Sequence, residues 1–324
     1  MTIPLHRILL FVIMFLLGSI LADIVQARNA RVLILTSSDT SPYKETQEGF
    51  LQYLRKQGMQ VDVEVYTLKE SATPDAMRAL QEAAKGEIDL IFTLGTFATE
   101  RALEKTANVP IIFGLVLRAD KAIKPGRATG VTLEFPLEIQ VEMFRRILPA
   151  ARIIGVLYDP KDNQQTIDSA VKLFQKTGLR LDAQRVMVPQ DLPAALDYMA
   201  KNVDVLWGIP DNLVLNTRTA KQILLFSYRN RIPLVGISPE WVKAGALYSL
   251  EWDFTDIGAQ CGDMALKIMK GTSISTLPPA SPRKVLYSVN AKTIKYMKTD
   301  VPEAMIRQAY HIYEGEISGA QVNR

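Results

Sequence analysis

Short apolar runs alternate with longer amphipathic stretches through most of this 324-residue chain. The amphipathic stretches carry their apolar residues at helical spacing, whereas the runs are only about five residues long and most of them are nearly continuous in apolar residues. Strands of that kind occur in parallel sheets that helices cover on both faces. The sequence therefore predicts an α/β fold, with strands at residues 32–35, 61–65, 90–92, 111–113, 153–157, 181–186, 203–207 and 232–235.

The alternation pauses at residues 130–136 and then starts again. This predicts two doubly wound, Rossmann-like lobes: residues 28–134 plus 252–278 as lobe 1, and residues 135–251 plus 279–324 as lobe 2. Three extended crossover segments, at residues 130–136, 246–252 and 276–285, would join the lobes and leave a ligand cleft between them. Prolines in the third segment exclude a helix there. The alternative is a single long domain with proline-rich loops.

The first 27 residues have the pattern of a signal peptide. Arg7 supplies a positive charge, residues 8–22 are uncharged, and Val25 and Ala27 suit the preferences of a signal peptidase. The apolar segment is shorter than the roughly twenty residues that span a bilayer, and an uncleaved anchor is the alternative. The sequence therefore predicts a periplasmic protein, whose mature chain of about 300 residues is long enough for two domains.

The composition excludes several classes of chemistry. The chain has two histidines, His6 and His311, and one cysteine, Cys261. A histidine-based metal site, a Ser-His-Asp triad and a Cys-His pair would all lack partners. We therefore expect no catalytic residue, no metal and no cofactor, although catalysis by carboxylates alone stays open. The helical spacing of residues 256–270 predicts that Cys261 is buried.

The charge pattern argues against a nucleic-acid partner. The formal net charge is only +4, and the lysines and arginines are scattered among acidic residues without a basic block. A transcription regulator would also need a DNA-binding helix pair at the N-terminus, where the predicted signal peptide lies.

Several segments together resemble one protein family. The segment EIQVEMFRRILPAARIIGVLYDPKDN, residues 138–163, is similar to the matching region of bacterial ABC-transporter substrate-binding proteins, a group that includes tryptophan- and tyrosine-binding proteins. The similarity continues in VDVLWGIPDNLVLN (203–216), IPLVGISPEWVKAGALYSL (232–250), DIGAQCGDMALKIMKG (256–271) and IDLIFTLGTFATERAL (88–103). This resemblance implies the type I periplasmic-binding-protein fold, in which a ligand binds between two lobes.

Two loops depart from the family pattern. Residues 114–120 replace a stretch that often ends in Thr-Asp-Pro, and residues 37–40 read Ser-Ser-Asp-Thr where the family often carries an acidic residue and a histidine. Both departures fall where the resemblance would place the ligand. They bear on which ligand is bound and leave the expected fold unchanged.

Ligands of open parallel sheets bind beyond the carboxyl ends of the strands. In lobe 2, one apolar run ends in YDPKDN and another in GIPDN, and we expect these two ends to face one cleft. The predicted ligand-binding residues of lobe 1 are Ser37, Ser38, Asp39, Thr40, Gly95, Thr96, Val116 and Arg118. Those of lobe 2 are Tyr158, Asp159, Asn163, Pro210, Asp211, Asn212, Ser238 and Trp252, with Glu240 beside Ser238.

Each of these residues also has a purely structural interpretation. An Asp or Asn after a strand can cap the next helix, which applies to Asn163 and Asn212 in particular. Thr96 and the N-terminus of its helix could hold a carboxylate. Arg118 would add a bidentate donor for an anionic ligand if it faces the cleft. Tyr158 and Trp252 could stack on a flat ligand or pack in the core and hinge, whereas Trp207 belongs to the core.

The sequence thus favours a monomeric solute-binding protein that closes around a small organic molecule and delivers it to the membrane permease of an ABC uptake transporter. The expected ligand is an amino acid or a related metabolite. The alternative is a periplasmic sensing protein that presents its ligand-bound form to a membrane signalling receptor. An enzyme is the third and least favoured possibility.

Overall fold

The computed structural model describes residues 29–68, 74–117, 123 and 126–314. The predicted signal peptide and Arg118 lie outside the described residues. Within these ranges the chain forms two sheets, one of five strands and one of seven. None of the helices in the described part of the chain is long and apolar enough to cross a membrane.

The five-stranded sheet is parallel and has the order β2-β1-β3-β4-β5. Its central strands are buried along their whole length, as their continuous apolar sequence predicts. Its strands are β1 (Ala30–Thr36), β2 (Val61–Thr67), β3 (Leu90–Leu94), β4 (Ile111–Val116) and β5 (Thr129–Thr132). The connecting helices are α1 (Ser41–Lys56), α2 (Pro74–Ala84) and α3 (Thr96–Lys105).

The seven-stranded sheet has the order β12-β11-β10-β9-β8-β6-β7, and only the pairing of β10 with β11 is antiparallel. Its strands are β6 (Ile153–Tyr158), β7 (Arg180–Arg185), β8 (Val205–Trp207), β9 (Leu234–Gly236), β10 (Tyr248–Trp252), β11 (Val285–Asn290) and β12 (His311–Tyr313). The helices that follow β5 are α4 (Leu137–Ile147), α5 (Pro160–Thr177), α6 (Leu192–Asn202), α7 (Ala220–Asn230), α8 (Pro239–Ala244), α9 (Phe254–Met269), α10 (Ala291–Met297) and α11 (Glu303–Arg307).

Each sheet carries an apolar core on both of its faces. In the first sheet, one core joins the strands to α2 and α3, and the other joins them to α1 and α9. In the second sheet, one core includes α4 and α5, and the other includes α6 and α7. The predicted architecture of two doubly wound α/β lobes is therefore confirmed. Cys261 is fully buried, also as predicted, and burial raises the pKa of its thiol to about 12.

Helix α9 follows a strand of the second sheet but packs on the first, against α1. Glycines permit this close approach. A Cβ atom added at Gly258 would stand 2.0 Å from the carbonyl oxygen of Thr46, and one at Gly49 would stand 2.1 Å from that of Thr255. Larger residues at either position would force the two helices apart.

Three chain segments connect the lobes. The first, residues 133–136, leads from β5 to α4; the second joins β10 to α9; the third, residues 277–284, leads to β11. In the third segment, Ala280 forms a parallel bridge with Val131 of β5. The Arg283 guanidinium then makes two 2.8 Å hydrogen bonds to the Asp256 carboxylate of α9. The first two segments contact each other through Phe135 and Trp252, whose rings stack with centroids 5.0 Å apart.

The structure differs from what the sequence predicts in the start of one helix and in several short elements. The apolar spacing of residues 214–229 predicts a single helix, but α7 begins only at Ala220. Before it, the Asn216 side-chain oxygen accepts from the backbone of Arg218 and Thr219, and the Thr219 hydroxyl donates to the Val214 carbonyl. These local bonds compete with helix formation. The strands β11 and β12, together with the short helices α8, α10 and α11, were not predicted from the sequence.

Candidate functional site

What we call the lobe 1 rim comprises the carboxyl ends of the first sheet, residues 37–40, 95–96 and 115–117, together with Tyr43 of α1, whose hydroxyl lies beside Gly95. The backbone N–H of Ser37 donates to the Leu94 carbonyl at 2.8 Å, and the Ser37 hydroxyl accepts from the N–H of Ala98 at 3.0 Å. Ser37 therefore ties the end of β1 to the end of β3 and to the first turn of α3. The hydroxyls of Ser38 and Thr40 lie 3.3 Å apart, and Asp39 beside them is exposed.

Gly95 connects β3 to α3 in a conformation that other residues rarely adopt. Its φ is +89°, and an added Cβ would stand 2.7 Å from the Ser37 hydroxyl and 3.0 Å from the Tyr43 hydroxyl. Thr96 is the first residue of α3, and the Ser37 hydroxyl accepts from one N–H of the first turn of this helix. The positive end of this ten-residue helix thus lies at the rim, together with two hydroxyl groups.

The end of β4 is irregular. The pairing of β4 with β5 shifts register between Gly114 and Val116, because Leu115 between them has a φ of +58°. Val116 is fully buried, whereas Leu117 is 55% exposed. A non-glycine residue in the left-handed region carries strain, and such residues concentrate at functional sites.

The corresponding lobe 2 rim comprises residues 159–163, 208–212, 237–240 and 251–253. Asp211 lies at its centre and is 7% exposed. One carboxylate oxygen of Asp211 accepts from the Asp159 N–H at 2.8 Å and from the Asn163 amide at 2.9 Å. The other oxygen accepts from the backbone of Leu213 and Val214 at 2.9 and 2.7 Å. The two strand ends identified in the sequence are therefore bound to each other through Asp211.

Neighbouring predicted residues have structural partners as well. The Asp159 side chain caps α5 by accepting from the N–H of Lys161 at 2.9 Å, and the Asn163 amide also donates to the Pro210 carbonyl at 3.1 Å. Asn212 is exposed, and its N–H donates to Asp162. Pro210 is exposed. Asp159 is therefore the residue that caps α5, whereas Asn163 lies within that helix and its amide joins two loops, and Asn212 contacts Asp162 through its backbone.

The aromatic candidates occupy different surroundings. Tyr158 is 3% exposed within the core beside α4 and α5, and its hydroxyl lies 3.3 Å from both Gln164 and Arg185. Trp252 ends β10 and stacks on Phe135 between two of the crossover segments. Its indole N–H is buried and has no hydrogen-bond partner among the described residues. Trp207 lies in the core, as predicted.

Ser238 lies between β9 and α8, and its hydroxyl donates to the Glu240 carboxylate at 2.5 Å. Two further rim residues were not predicted from the sequence: Tyr43 in lobe 1 and Glu251 in lobe 2. Glu251 is 8% exposed and accepts from the Ser288 hydroxyl. Recognising it would have required the register of β10, since only that register shows how far the strand extends beyond its neighbour.

No group of three or more His, Cys, Asp or Glu residues in the described ranges could hold a metal ion. The polar groups of the two rims include hydroxyls, carboxylates, amides and the N-termini of α3, α5 and α8. Such groups can bind and orient a small polar molecule through hydrogen bonds.

Residues 32–312 match the family model described as ABC transporter substrate binding protein. A tyrosine-binding protein of Clostridioides difficile (strain R20291) is 22% identical over 265 residues, which cover 78% of this chain and 76% of that protein. An uncharacterized protein of Rickettsia prowazekii (strain Madrid E) is 22% identical over 290 residues, which cover 89% of this chain and 91% of that protein.

Solved structures show the same fold. The ligand-free, open structure of a Clostridium difficile substrate-binding protein with adhesive properties is 21% identical, with a TM-score of 0.73 and coverage of 88% of this chain and 99% of that one. An ABC domain from Streptococcus pneumoniae in complex with L-Trp is 20% identical, with a TM-score of 0.58 and the same coverage. The predicted fold is confirmed, and the chain belongs to the family of ABC transporter substrate-binding proteins.

Proposed function

We propose that this chain is the periplasmic solute-binding protein of an ABC uptake transporter, and that it binds an amino acid between its two lobes. One observation carries the proposal: each lobe has a polar rim, and three short segments connect the two lobes. A ligand that contacts both rims would favour a closed arrangement, and the closed protein would be recognised by the membrane permease. The protein acts by binding alone.

Amino acids are the proposed ligand class because the rims supply complementary groups. The N-terminus of α3, with the hydroxyls of Ser37, Tyr43 and Thr96 near it, suits a carboxylate. The lobe 2 rim supplies acceptors. The relatives with named ligands, a tyrosine-binding protein and a domain in complex with L-Trp, support the same class.

We assign residues 28–134 and 252–278 to lobe 1 and residues 135–251 and 279–324 to lobe 2. The packing of α9 on α1 supports the first assignment, and the pairing of β11 with β10 supports the second. The third crossover segment would then bend between Ala280, which pairs with β5, and Val285, which begins β11.

The test uses the chain without its predicted signal peptide. Thermal unfolding would be measured with each of the twenty amino acids, and the best stabiliser would then be titrated by calorimetry. At a concentration one hundred times Kd, a ligand adds about 2.7 kcal/mol to the free energy of unfolding, so a clear rise in Tm is expected. Small-angle scattering should show a smaller radius of gyration with the ligand than without it.

A pair of tyrosine substitutions provides the control. Tyr43→Phe removes a hydroxyl of the lobe 1 rim and should weaken binding about tenfold, equivalent to one hydrogen bond. Tyr198→Phe removes an exposed hydroxyl on the outside of lobe 2 that contacts Asp182, and binding should not change. A chain that no amino acid, sugar or organic acid stabilises would contradict the proposal. A ligand-dependent complex with a receptor kinase instead of a permease would favour the sensing alternative.

A further inference from the structure

The second sheet has a basic surface at the end opposite the lobe 2 rim. The amino ends of β6 to β9 lie there. Because each connecting helix runs back from the carboxyl end of one strand to the amino end of the next, the last turns of α5, α6 and α7 lie there too. Six exposed cations define what we call the lobe 2 pole. They are Arg152 before β6, Lys176 at the end of α5, Arg180 at the start of β7, Lys201 at the end of α6, and Arg229 and Arg231 at the end of α7.

These six cations have few partners of opposite charge. Among the described residues, only Arg180 has a carboxylate oxygen within 4 Å, that of Asp182 at 3.8 Å, and the Arg180 side chain is 62% exposed. Asp204 also lies beside them, but its carboxylate accepts from the backbone N–H groups of Arg152 and Ile153 at 2.8 Å. The lobe 2 pole therefore carries an excess of positive charge, although the formal net charge of the whole chain is only +4.

The corresponding end of lobe 1 is different. The Arg31 guanidinium near the start of β1 lies 3.2 Å from the Glu64 carboxylate. The Lys105 ammonium at the end of α3 lies 2.9 Å from the carboxylate of Glu104. The helix dipole favours a cation at the end of a helix in either lobe, but it does not account for cations beside strands. Arg31 and Arg152 both lie beside the start of a strand, and only Arg31 has a carboxylate partner in the described part of the chain.

Backbone strain at the lobe 2 pole indicates that its charge has a use. Arg231 ends α7 with a φ of +55°, and Lys298 ends α10 with the same value. The two helix ends are joined by the stacked rings of Tyr228 and Tyr296, whose centroids are 3.8 Å apart, and the Arg231 guanidinium lies 5.7 Å from the Tyr296 ring. Glycine ends a helix in this conformation without strain. A cation at both positions therefore retains a charged side chain where the backbone favours none.

We propose that the lobe 2 pole binds the surface of an anionic phospholipid bilayer. Its cations extend across the ends of four neighbouring strands, a width of about 15 Å, which suits a flat surface of many negative charges better than one small anion. An open depression of about 490 Å³, lined by both Arg152 and Arg180, is large enough for one phosphate headgroup. The partly exposed Tyr228 and Tyr296 have the amphipathic character of side chains at membrane interfaces.

The inference rests on the proposed function only for its setting, since the permease lies in such a bilayer. A protein held at the bilayer by lobe 2 would search for its permease in two dimensions. The lobe 2 pole lies opposite the lobe 2 rim, so this contact leaves the space between the lobes open to solute. Each Lys or Arg near an anionic bilayer contributes a factor of about five to binding, and salt weakens the attraction.

The test is sedimentation of the chain without its predicted signal peptide in the presence of vesicles. Vesicles of phosphatidylcholine alone are compared with vesicles that also contain about 30 mol% phosphatidylglycerol, at about 50 and 300 mM salt. At the lower salt concentration we expect binding to the anionic vesicles to be at least about 100-fold stronger than to the neutral ones. Most of this difference should disappear at the higher salt concentration, because the cations are exposed.

Two double variants test the residues. Lys176→Gln with Lys201→Gln, and Arg180→Gln with Arg229→Gln, each remove two positive charges from exposed positions of the lobe 2 pole. Each pair should weaken binding to the anionic vesicles about 25-fold. The Tm and the stabilisation by solute should stay those of the wild type, since exposed side chains with so few partners contribute little to the fold.

The matched control removes the same charge from the corresponding end of lobe 1. Lys56 ends α1 and Lys85 follows α2, and both are exposed. Lys56→Gln with Lys85→Gln should bind the anionic vesicles within about twofold of the wild type. If this pair loses as much as the lobe 2 pairs, only net charge matters and the inference is overturned.

The remaining outcomes separate this inference from the proposed function. Equal binding to neutral and anionic vesicles, or to neither, would overturn the inference and leave solute binding as it stands. If soluble polyglutamate bound where vesicles did not, the partner would be an acidic protein, and the bilayer proposal would be overturned. If anionic vesicles bound the lobe 2 pole but no solute stabilised the chain, the inference would stand and the proposed function would fail.

Discussion

At the carboxyl ends of its strands the first sheet presents hydroxyls, a glycine and a helix N-terminus, whereas the second presents carboxylates. In the lobe 1 rim, the Ser37 hydroxyl accepts a hydrogen bond from the first turn of α3, and Gly95 leaves room for the hydroxyls of Ser37 and Tyr43. In the lobe 2 rim, Asp211 holds two loops together with four hydrogen bonds. The lobe 2 rim thus carries several carboxylates, whereas Asp39 is the one carboxylate of the lobe 1 rim.

The two buried carboxylates of lobe 2, Asp211 and Glu251, differ in how many hydrogen-bond partners they have. Two of the four bonds of Asp211 go to Asp159 and Asn163 of the rim and two to the loop that follows it, so its charge organises these loops. Glu251 has one hydroxyl partner and one half-exposed imidazole at a longer distance. A buried carboxylate with few partners can accept further donors, whereas a saturated one is committed to structure. Proximity to a cleft alone does not distinguish these roles.

The largest effect is expected from Asp211→Ala. Four donors, two of them from the backbone of the following loop, would lose a charged acceptor in a buried place, at a cost of about 4 kcal/mol in the free energy of unfolding. Asp211→Asn keeps one acceptor oxygen and should lose about half as much. Urea unfolding would measure both.

The control for Asp211 lies at the other end of the same sheet. The Asp204 carboxylate accepts from the backbone of Arg152 and Ile153 at 2.8 Å, but it is exposed. Water can replace the Asp204 carboxylate as the acceptor, so Asp204→Ala should lower the free energy of unfolding by about 1 kcal/mol or less. Equal losses for Asp211→Ala and Asp204→Ala would contradict a special bracing role for the lobe 2 rim.

A smaller effect is expected from Gly95→Ala in the lobe 1 rim. The left-handed backbone and the contact with the Ser37 hydroxyl should together lower stability by about 2 kcal/mol. Gly58 also has a positive φ of +75°, but nothing lies within 4 Å of an added Cβ. Gly58→Ala should therefore cost about 1 kcal/mol, from the backbone alone. The Tm shift of Gly95→Ala minus that of Gly58→Ala measures the effect of packing at the rim. Equal shifts would show that the Ser37 side chain can move aside at little cost.

The smallest effects distinguish two buried serines of lobe 2. The Ser227 hydroxyl donates to the Ile232 carbonyl at 2.6 Å, whereas that of Ser249 has no partner within the described ranges. Ser227→Ala should cost about 1 kcal/mol, and Ser249→Ala should leave the free energy of unfolding unchanged or slightly raised. A comparable loss in Ser249→Ala would contradict the absence of a partner for its hydroxyl.

Much of the fold follows from the sequence because buried parallel strands have a strong local signal. Residues 153–157 were predicted as a strand, and β6 spans Ile153–Tyr158. The same reasoning fails for β12, whose three residues are largely exposed at a sheet edge and depend on pairing with β11. It also fails for the start of α7, where side-chain bonds of Asn216 and Thr219 replace helical ones.

The site was predicted less completely for a physical reason. The sequence indicated that the strand ends before Asp159 and Asp211 are neighbours, and a 2.8 Å hydrogen bond joins them. It could not show that the partners of Asp211 saturate its carboxylate, because those partners come from the tertiary arrangement of two loops. Glu251 was missed because its position relative to β9 depends on register between strands far apart in the chain.

The packing of α9 on α1 also bears on how the protein is made. The core that includes Phe50 and Leu54 of α1 is completed by Ile257, Cys261 and Ala265 of α9, which are synthesised more than a hundred residues after β5 begins. At ribosomal speeds of about 5–20 residues per second, one face of the first sheet waits on the order of ten seconds for its last helix. During that interval its apolar residues are available to chaperones. A nascent chain that cannot complete its first lobe early stays unfolded for longer.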